Sequence, residues 1–146
     1  MNKGKVLVGI QFLALAVLLF WHSNTVSPNR AFFSAIVEIF GGVILVVAVV
    51  HLNDSIKITP EPKVNAKLVT RGIYKYIRHP IYTGLILFGL GQVLGKANIP
   101  IYFAFIVLFI DLNIKYRYED RLLAQALPEA INYQQKTGAI FPKFRK

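Results

Sequence analysis

The stretch Gly72-Ile73-Tyr74-Lys75-Tyr76-Ile77-Arg78-His79-Pro80-Ile81-Tyr82-Thr83-Gly84 runs from basic, tyrosine-rich sequence straight into an apolar helical pattern. Proline lacks a backbone N–H and holds φ near the helical value, so Pro80 suits the first position of a helix and drives His79 toward an extended conformation. The stretch therefore predicts a helix that opens at Pro80, with Arg78, His79 and three tyrosines gathered at its mouth. The N–H groups of such a first turn, with Arg78 beside them, suit an anionic group. The rings of Tyr74, Tyr76 and Tyr82 suit a cation or a flat ring.

Composition sets this helix in a membrane. The chain has 146 residues, of which 55% are hydrophobic, and its mean hydropathy is +0.50. That is too apolar for a soluble domain of this size and too short for several domains, so a single membrane domain over 1–146 is expected. The absence of cysteine excludes disulfides, a thiol nucleophile and cysteine-ligated zinc, and no other metal site is expected.

Four apolar segments stand out: Val6 to Trp21, Ala31 to Leu52, Ile81 to Leu94 and Ile99 to Ile114. No small-x-small cleavage site follows the first, which argues against a signal peptide. The second is long enough to span alone at about 20 residues per crossing. Between the third and fourth, Gly95-Lys96-Ala97-Asn98 followed by Pro100 is turn chemistry with a helix restart and predicts an antiparallel hairpin. Thr59-Pro60-Glu61-Pro62 reads as a linker along the membrane surface. Beyond the fourth segment, Lys115 to Asn132 keeps helical character, with Asp111–Lys115 and Lys115–Glu119 spaced to pair along it. Pro128 then ends or bends the helix, and the tail around Phe141-Pro142 is expected to fold back onto the body.

The expected fold is thus all-α and integral to the membrane, with about four transmembrane helices and a cytoplasmic helical extension and tail. With an even number of crossings, fifteen of the seventeen Lys and Arg residues fall on the side of the termini and of the loop from Asn53 to His79. Only Arg30 and Lys96 remain on the other. The positive-inside tendency makes the basic side, and both termini, cytoplasmic. For a bacterial protein the membrane would be the inner one. The net charge of +10 is read as a match to anionic headgroups rather than to nucleic acid.

The segment Gly72-x-Tyr74-x-x-x-Arg78-His79-Pro80-x-Tyr82-x-Gly84, the acidic pair Glu119-Asp120 with Leu123 three beyond it, and the late Pro142 together resemble the isoprenylcysteine carboxyl methyltransferase and phospholipid N-methyltransferase superfamily. The resemblance covers roughly Leu68 to Pro142. It implies an integral membrane enzyme using S-adenosylmethionine, with a cytoplasmic cofactor pocket built from Tyr74, Arg78, His79, Pro80, Tyr82, Gly84, Glu119 and Asp120. The chain departs from the family in carrying Glu-Asp where Glu-Glu is usual. Its tail also lacks the usual Phe-Gly and paired tyrosines, with Tyr133 near the expected positions.

Physical chemistry points the same way. The cofactor carries a carboxylate, an ammonium, a sulfonium, hydroxyls and an adenine, which call for an anion site, acidic groups and flat walls. Arg78 and His79 suit the first, Glu119 and Asp120 the second, Tyr74 and Tyr82 the third. An amine acceptor would also need a base, for which His79 or Glu119 is the candidate, whereas a carboxylate or thiolate would not. Arg117 or Arg121 is expected to hold an acidic group of the acceptor. Gly89 and Gly91 are expected beside a lateral opening through which a lipophilic or small acceptor enters from the bilayer.

Singly, these residues have plainer readings: Arg78 and His79 as headgroup contacts, Glu119 and Asp120 as a solvated face, the tyrosines as an interfacial belt. Glu38 lies inside the second segment, where an ionisable group is costly and marks a site by default, or else snorkels toward Arg30. A nicotinamide-dependent membrane reductase of related architecture and a non-catalytic four-helix membrane protein are the competing functions.

Overall fold

The computed structural model of the chain describes residues 3–22, 27–52 and 68–143. The Thr59 to Pro62 linker and most of the long loop lie outside the described residues. Among the described residues five α-helices follow one another: α1 (Lys3–Phe20), α2 (Pro28–Leu52), α3 (Pro80–Lys96), α4 (Ile99–Ala126) and α5 (Glu129–Lys136), with a 3-10 turn at Gly72–Lys75 before α3. No strand occurs among the described residues. Residues Ile77 and Gly138 form one isolated parallel bridge.

The breaks fall where backbone chemistry places them. Pro80 opens α3, preceded by His79 as its N-cap in a non-helical conformation. The helix ends on Ala97, whose φ of 39° is left-handed. Asn98 then caps α4, its side chain accepting from the Ile101 N–H at 3.2 Å, with Pro100 in the first turn. As the sequence predicts, helical structure continues past Ile114, α4 running on to Ala126, and Pro128 bends the chain into α5.

α1, α2 and α4 are each long and apolar enough to cross a membrane. α3 has 17 residues, about 25 Å at 1.5 Å per residue, slightly less than a hydrocarbon core. α3 packs chiefly on α2 rather than on α4 as a hairpin partner. Gly41 of α2 approaches Gly84 of α3, while Ser34 and Glu38 approach Gly91 and Gly95, so the two helices are antiparallel. A Cβ on Gly84 would lie 2.8 Å from the Gly41 carbonyl oxygen, and one on Gly91 2.4 Å from Glu38 Cγ. Small residues let the backbones approach this closely, the usual basis of helix association where lipid removes the hydrophobic drive. Gly42 has no such contact.

α1 lies along α4, and their joint core holds Ala14, Leu18, Ile101, Ala104, Leu108 and Leu112, together with Tyr82 and Ile86 of α3. The outward faces are more apolar than those of a soluble protein: Phe32, Phe33, Ile39, Phe40, Val46, Phe103 and Ile106 are all exposed. Such a surface is stable only against lipid. Lys96 closes one end by donating to the last carbonyls of α1, Leu18 at 2.7 Å and Leu19 at 3.1 Å. Arg30 donates to the Leu94 carbonyl at 3.1 Å. Glu38 receives the Ser34 hydroxyl at 2.7 Å instead of reaching Arg30. The opposite end carries Lys3, His51, His79 and Glu119, and the site lies there.

Candidate functional site

Three pieces of chain meet at that end: the segment before α3, the last turns of α4, and the tail beyond α5. Arg78 ties them together. Its guanidinium donates to both Asp120 oxygens, Nη2 to Oδ2 at 2.9 Å and Nε to Oδ1 at 3.4 Å. Nη1 donates to the carbonyl of Gln134 at 2.8 Å and to that of Thr137. The backbone continues the seam, with the N–H of Arg78 bonding the Gly138 carbonyl at 2.8 Å and that of His79 the Ala139 carbonyl at 3.0 Å. Thr83 donates its hydroxyl to the Ile140 carbonyl at 2.7 Å. The tail is thus folded back as a short strap, and Gln134 donates to the Asp120 carbonyl at 2.8 Å.

His79 sits between the two acidic residues. Nε2 lies 2.9 Å from Asp120 Oδ1 and Nδ1 lies 3.3 Å from Glu119 Oε2. A neutral imidazole has one N–H, so donation to both carboxylates requires the imidazolium. Burial disfavours that charge, but the hydrogen bonds to Asp120 and Glu119 and the charges of both carboxylates outweigh it, raising the His79 pKa above 6.5. Tyr82 stacks on the imidazole with ring centres 5.5 Å apart, and Tyr116 tilts against it at 5.6 Å. The Tyr82 hydroxyl donates to Glu119 Oε1 at 2.6 Å.

A raised pKa fixes the sign of a pH effect. The stability contributed by His79 is present in full below its unfolded-state value near 6.5 and is lost as pH rises through the higher folded value. In that window the detergent-solubilised protein should lose up to about 1.4 kcal/mol per pH unit from this residue. Thermal melts of wild type and His79→Gln across the window check it. An equal slope in the variant would assign the effect elsewhere.

Tyr74 is buried, and Tyr133 donates its hydroxyl to the Tyr74 carbonyl at 2.5 Å. Burial, with the charge of Arg78 opposing and that of Asp120 assisting, pushes the Tyr133 phenol up to about 12, so it remains a donor at neutral pH. Tyr133 thereby fastens α5 to the turn that precedes the motif.

The structure brings Tyr74, Arg78, His79, Pro80, Tyr82, Glu119 and Asp120 to one place, but not with every expected role. Arg78 is engaged by Asp120 and tail carbonyls rather than presented to a ligand carboxylate. The N–H groups of Tyr82 and Thr83 both bond the His79 carbonyl, so the helix mouth offers fewer open donors than its sequence suggests. Gly84 packs on Gly41, away from the cluster. Arg117 is exposed, with its guanidinium against the Tyr116 ring at 5.8 Å, and Arg121 is exposed; neither joins the cluster. Gly89 faces the Phe105 ring and Gly91 faces α2, so both fill helix interfaces and not an opening.

Two groups stand otherwise than their spacing suggested. Lys115 does not pair with Asp111 along α4; its ammonium reaches across to Gln11 of α1 at 2.7 Å and lies 5.4 Å from the centre of the Tyr82 ring. Asp111, only 3% exposed, is left with both carboxylate oxygens buried and without a hydrogen-bond partner. The signal was there in Asp111, an ionisable residue inside the fourth apolar segment, which in a membrane marks function by default.

The fold and the cluster define an all-helical integral membrane protein with an acidic, aromatic-walled site at one end of its bundle. The sequence profile of the isoprenylcysteine carboxyl methyltransferase (ICMT) family matches residues 34–125, which take in most of α2, all of α3 and the motif-bearing part of α4. The chain belongs to that family. A curated relative, the cobalt-zinc-cadmium resistance protein CzcN of Cupriavidus metallidurans, is 36% identical over 85 residues. The match covers 54% of this chain and 37% of the relative, so well under half of that protein is represented in it.

Proposed function

We propose that the protein transfers a methyl group from S-adenosylmethionine to a lipophilic or small acceptor at the membrane. The observation that carries this reading is the convergence of His79, Tyr82, Glu119 and Asp120, from segments some forty residues apart, into one polar cluster on an otherwise apolar bundle. Buried ion pairs are expensive and seldom chosen for stability alone.

The donor set suits the cofactor. Glu119, with its side chain 16% exposed, keeps lone pairs at the edge of the cluster for an ammonium or a ribose hydroxyl. Tyr82 and Tyr116 supply flat walls for adenine or sulfonium. The bound cofactor would supply an electrophilic methyl group. The protein then has to align the acceptor and exclude water, which asks for rigid positioning rather than covalent participation. The Arg78 tie supports that role, since it fixes the acidic helix, the His-Pro segment and the tail with one side chain. The basic residues flanking the site end favour a cytoplasmic site, open to a soluble cofactor.

S-adenosylhomocysteine titration by calorimetry tests the reading. Wild type should bind, and Glu119→Ala should lose roughly 1 to 3 kcal/mol of affinity, as expected on removing a hydrogen bond to a charged group. Binding of reduced nicotinamide in place of S-adenosylhomocysteine would instead favour a reductase, and unaltered affinity in the variant would refute the pocket.

A further inference from the structure

One buried cation takes no part in the tie that Arg78 makes. Lys115 is 2% exposed, with Asp111 and Glu119 four residues to either side of it along α4. Its ammonium donates to Gln11 Oε1 of α1 at 2.7 Å and lies 5.4 Å from the centre of the Tyr82 ring. Burying an ammonium is costly, and a well-packed apolar side chain in its place is often no less stable. A lysine set here between an amide and a ring therefore calls for a purpose other than cohesion. Its place beside Tyr82 supplies one.

Tyr82 stands at the junction of the site. Its ring is parallel to the imidazole of His79, the two planes only 2° apart, and its hydroxyl donates to Glu119 Oε1 at 2.6 Å. The other oxygen of Glu119 faces His79 Nδ1 at 3.3 Å. The direction of the Tyr82 hydroxyl, and with it the carboxylate of Glu119, follows the setting of the ring. A cation drawn to the ring electrons restrains that setting. Gln11 completes the arrangement, because without an acceptor on α1 the flexible four-carbon stem would let the ammonium swing toward Asp111 or Glu119.

We propose that Lys115, anchored by Gln11, is a positioning residue: it sets the Tyr82 ring, and through the Tyr82 hydroxyl it aims Glu119 at the ammonium or ribose of the cofactor. The cofactor's part in this rests on the methyltransferase reading, whereas the setting of the ring does not. Calorimetric titration with S-adenosylhomocysteine, beside thermal melts in detergent, tests the first. Lys115→Met, of similar length and without charge, should weaken binding about tenfold while lowering the melting temperature little, the reverse of what a merely cohesive residue would do. In a Tyr82→Phe background, which has already lost the link to Glu119, the same substitution should have almost no effect. Gln11→Leu should weaken binding as Lys115→Met does, and Gln11→Glu, which keeps an acceptor oxygen, should recover it. Wild-type affinity in Lys115→Met, or an undiminished loss in the Tyr82→Phe background, would overturn the proposal. The second test needs no cofactor. In NMR of protein with isotope-labelled tyrosine rings, the Tyr82 signals, identified by their absence from Tyr82→Phe, should show slow ring flipping in wild type and faster flipping in Lys115→Met and Gln11→Leu. An unchanged flip rate would overturn the proposal whether or not S-adenosylhomocysteine binds, and failure of wild type to bind it counts against the methyltransferase reading alone. Should Lys115→Met not fold, Gln11→Leu carries both comparisons.

Discussion

Replacing Arg78 with Ala is expected to cost about 3 to 5 kcal/mol, the range found when one partner is removed from a buried ion pair. The loss has two parts. Asp120, with its side chain 16% exposed, would keep its charge without its main counter-ion, and the carbonyls of Gln134 and Thr137 would lose their donor. The strap should then detach. Limited proteolysis should cleave Arg78→Ala within 137–143 well before wild type, and the melting temperature should fall by many degrees. Lys at this position should recover little of the loss, because an ammonium cannot span a carboxylate and two carbonyls as a planar guanidinium does. A tail as protected in Arg78→Ala as in wild type would show that the backbone seam at Gly138 and Ala139 suffices.

The second large effect is expected at Gly84. A valine there would drive its Cβ against the Gly41 carbonyl oxygen, 2.8 Å away, and against Leu45 at 3.0 Å. Neither obstacle can give cheaply, since one is backbone and the other is the base of a side chain. The helices must separate, forfeiting contact along the whole Gly84–Gly91–Gly95 face, so the cost should reach or exceed the usual 1 to 3 kcal/mol of overpacking. The same substitution at Gly42, which has open space around it, is the control. Denaturation of the two variants in mixed micelles should differ by that amount, and equal stability would mean that α2 and α3 are not held by close approach.

Much of this was legible in the sequence because it is local chemistry. Pro80 and Asn98 mark helix starts on any reading, and the turn at Ala97-Asn98 follows from them. The approach of the His-Pro segment to Glu119-Asp120, and the return of the tail, follow from the family pattern and from the chain's need to satisfy polar groups at a membrane surface. What spacing could not reveal is which neighbour a side chain meets. Asp111 and Lys115 stand one helical turn apart and look like a pair, yet Gln11, over a hundred residues away, takes the lysine. Gly91 looks as open to lipid as Gly89, but α2 covers the one and Phe105 the other. Arg78 reads as a ligand donor because two of its partners are backbone carbonyls, which no side-chain pattern announces, and the third, Asp120, lies 42 residues away.

The strap also sets an order of assembly. A ribosome making this chain releases Arg78 and His79 before Gln134, Thr137, Gly138 and Ala139 exist, so over that interval the guanidinium lacks its tail partners. Asp120 can neutralise it about forty residues later, but the carbonyls of Gln134 and Thr137 that complete its shell follow only after that. A nascent chain halted before residue 134 would therefore have its spans and its acidic pair but an unfinished site. Completion of the polar cluster waits for the strap, because the helices alone do not supply the carbonyls that Arg78 uses.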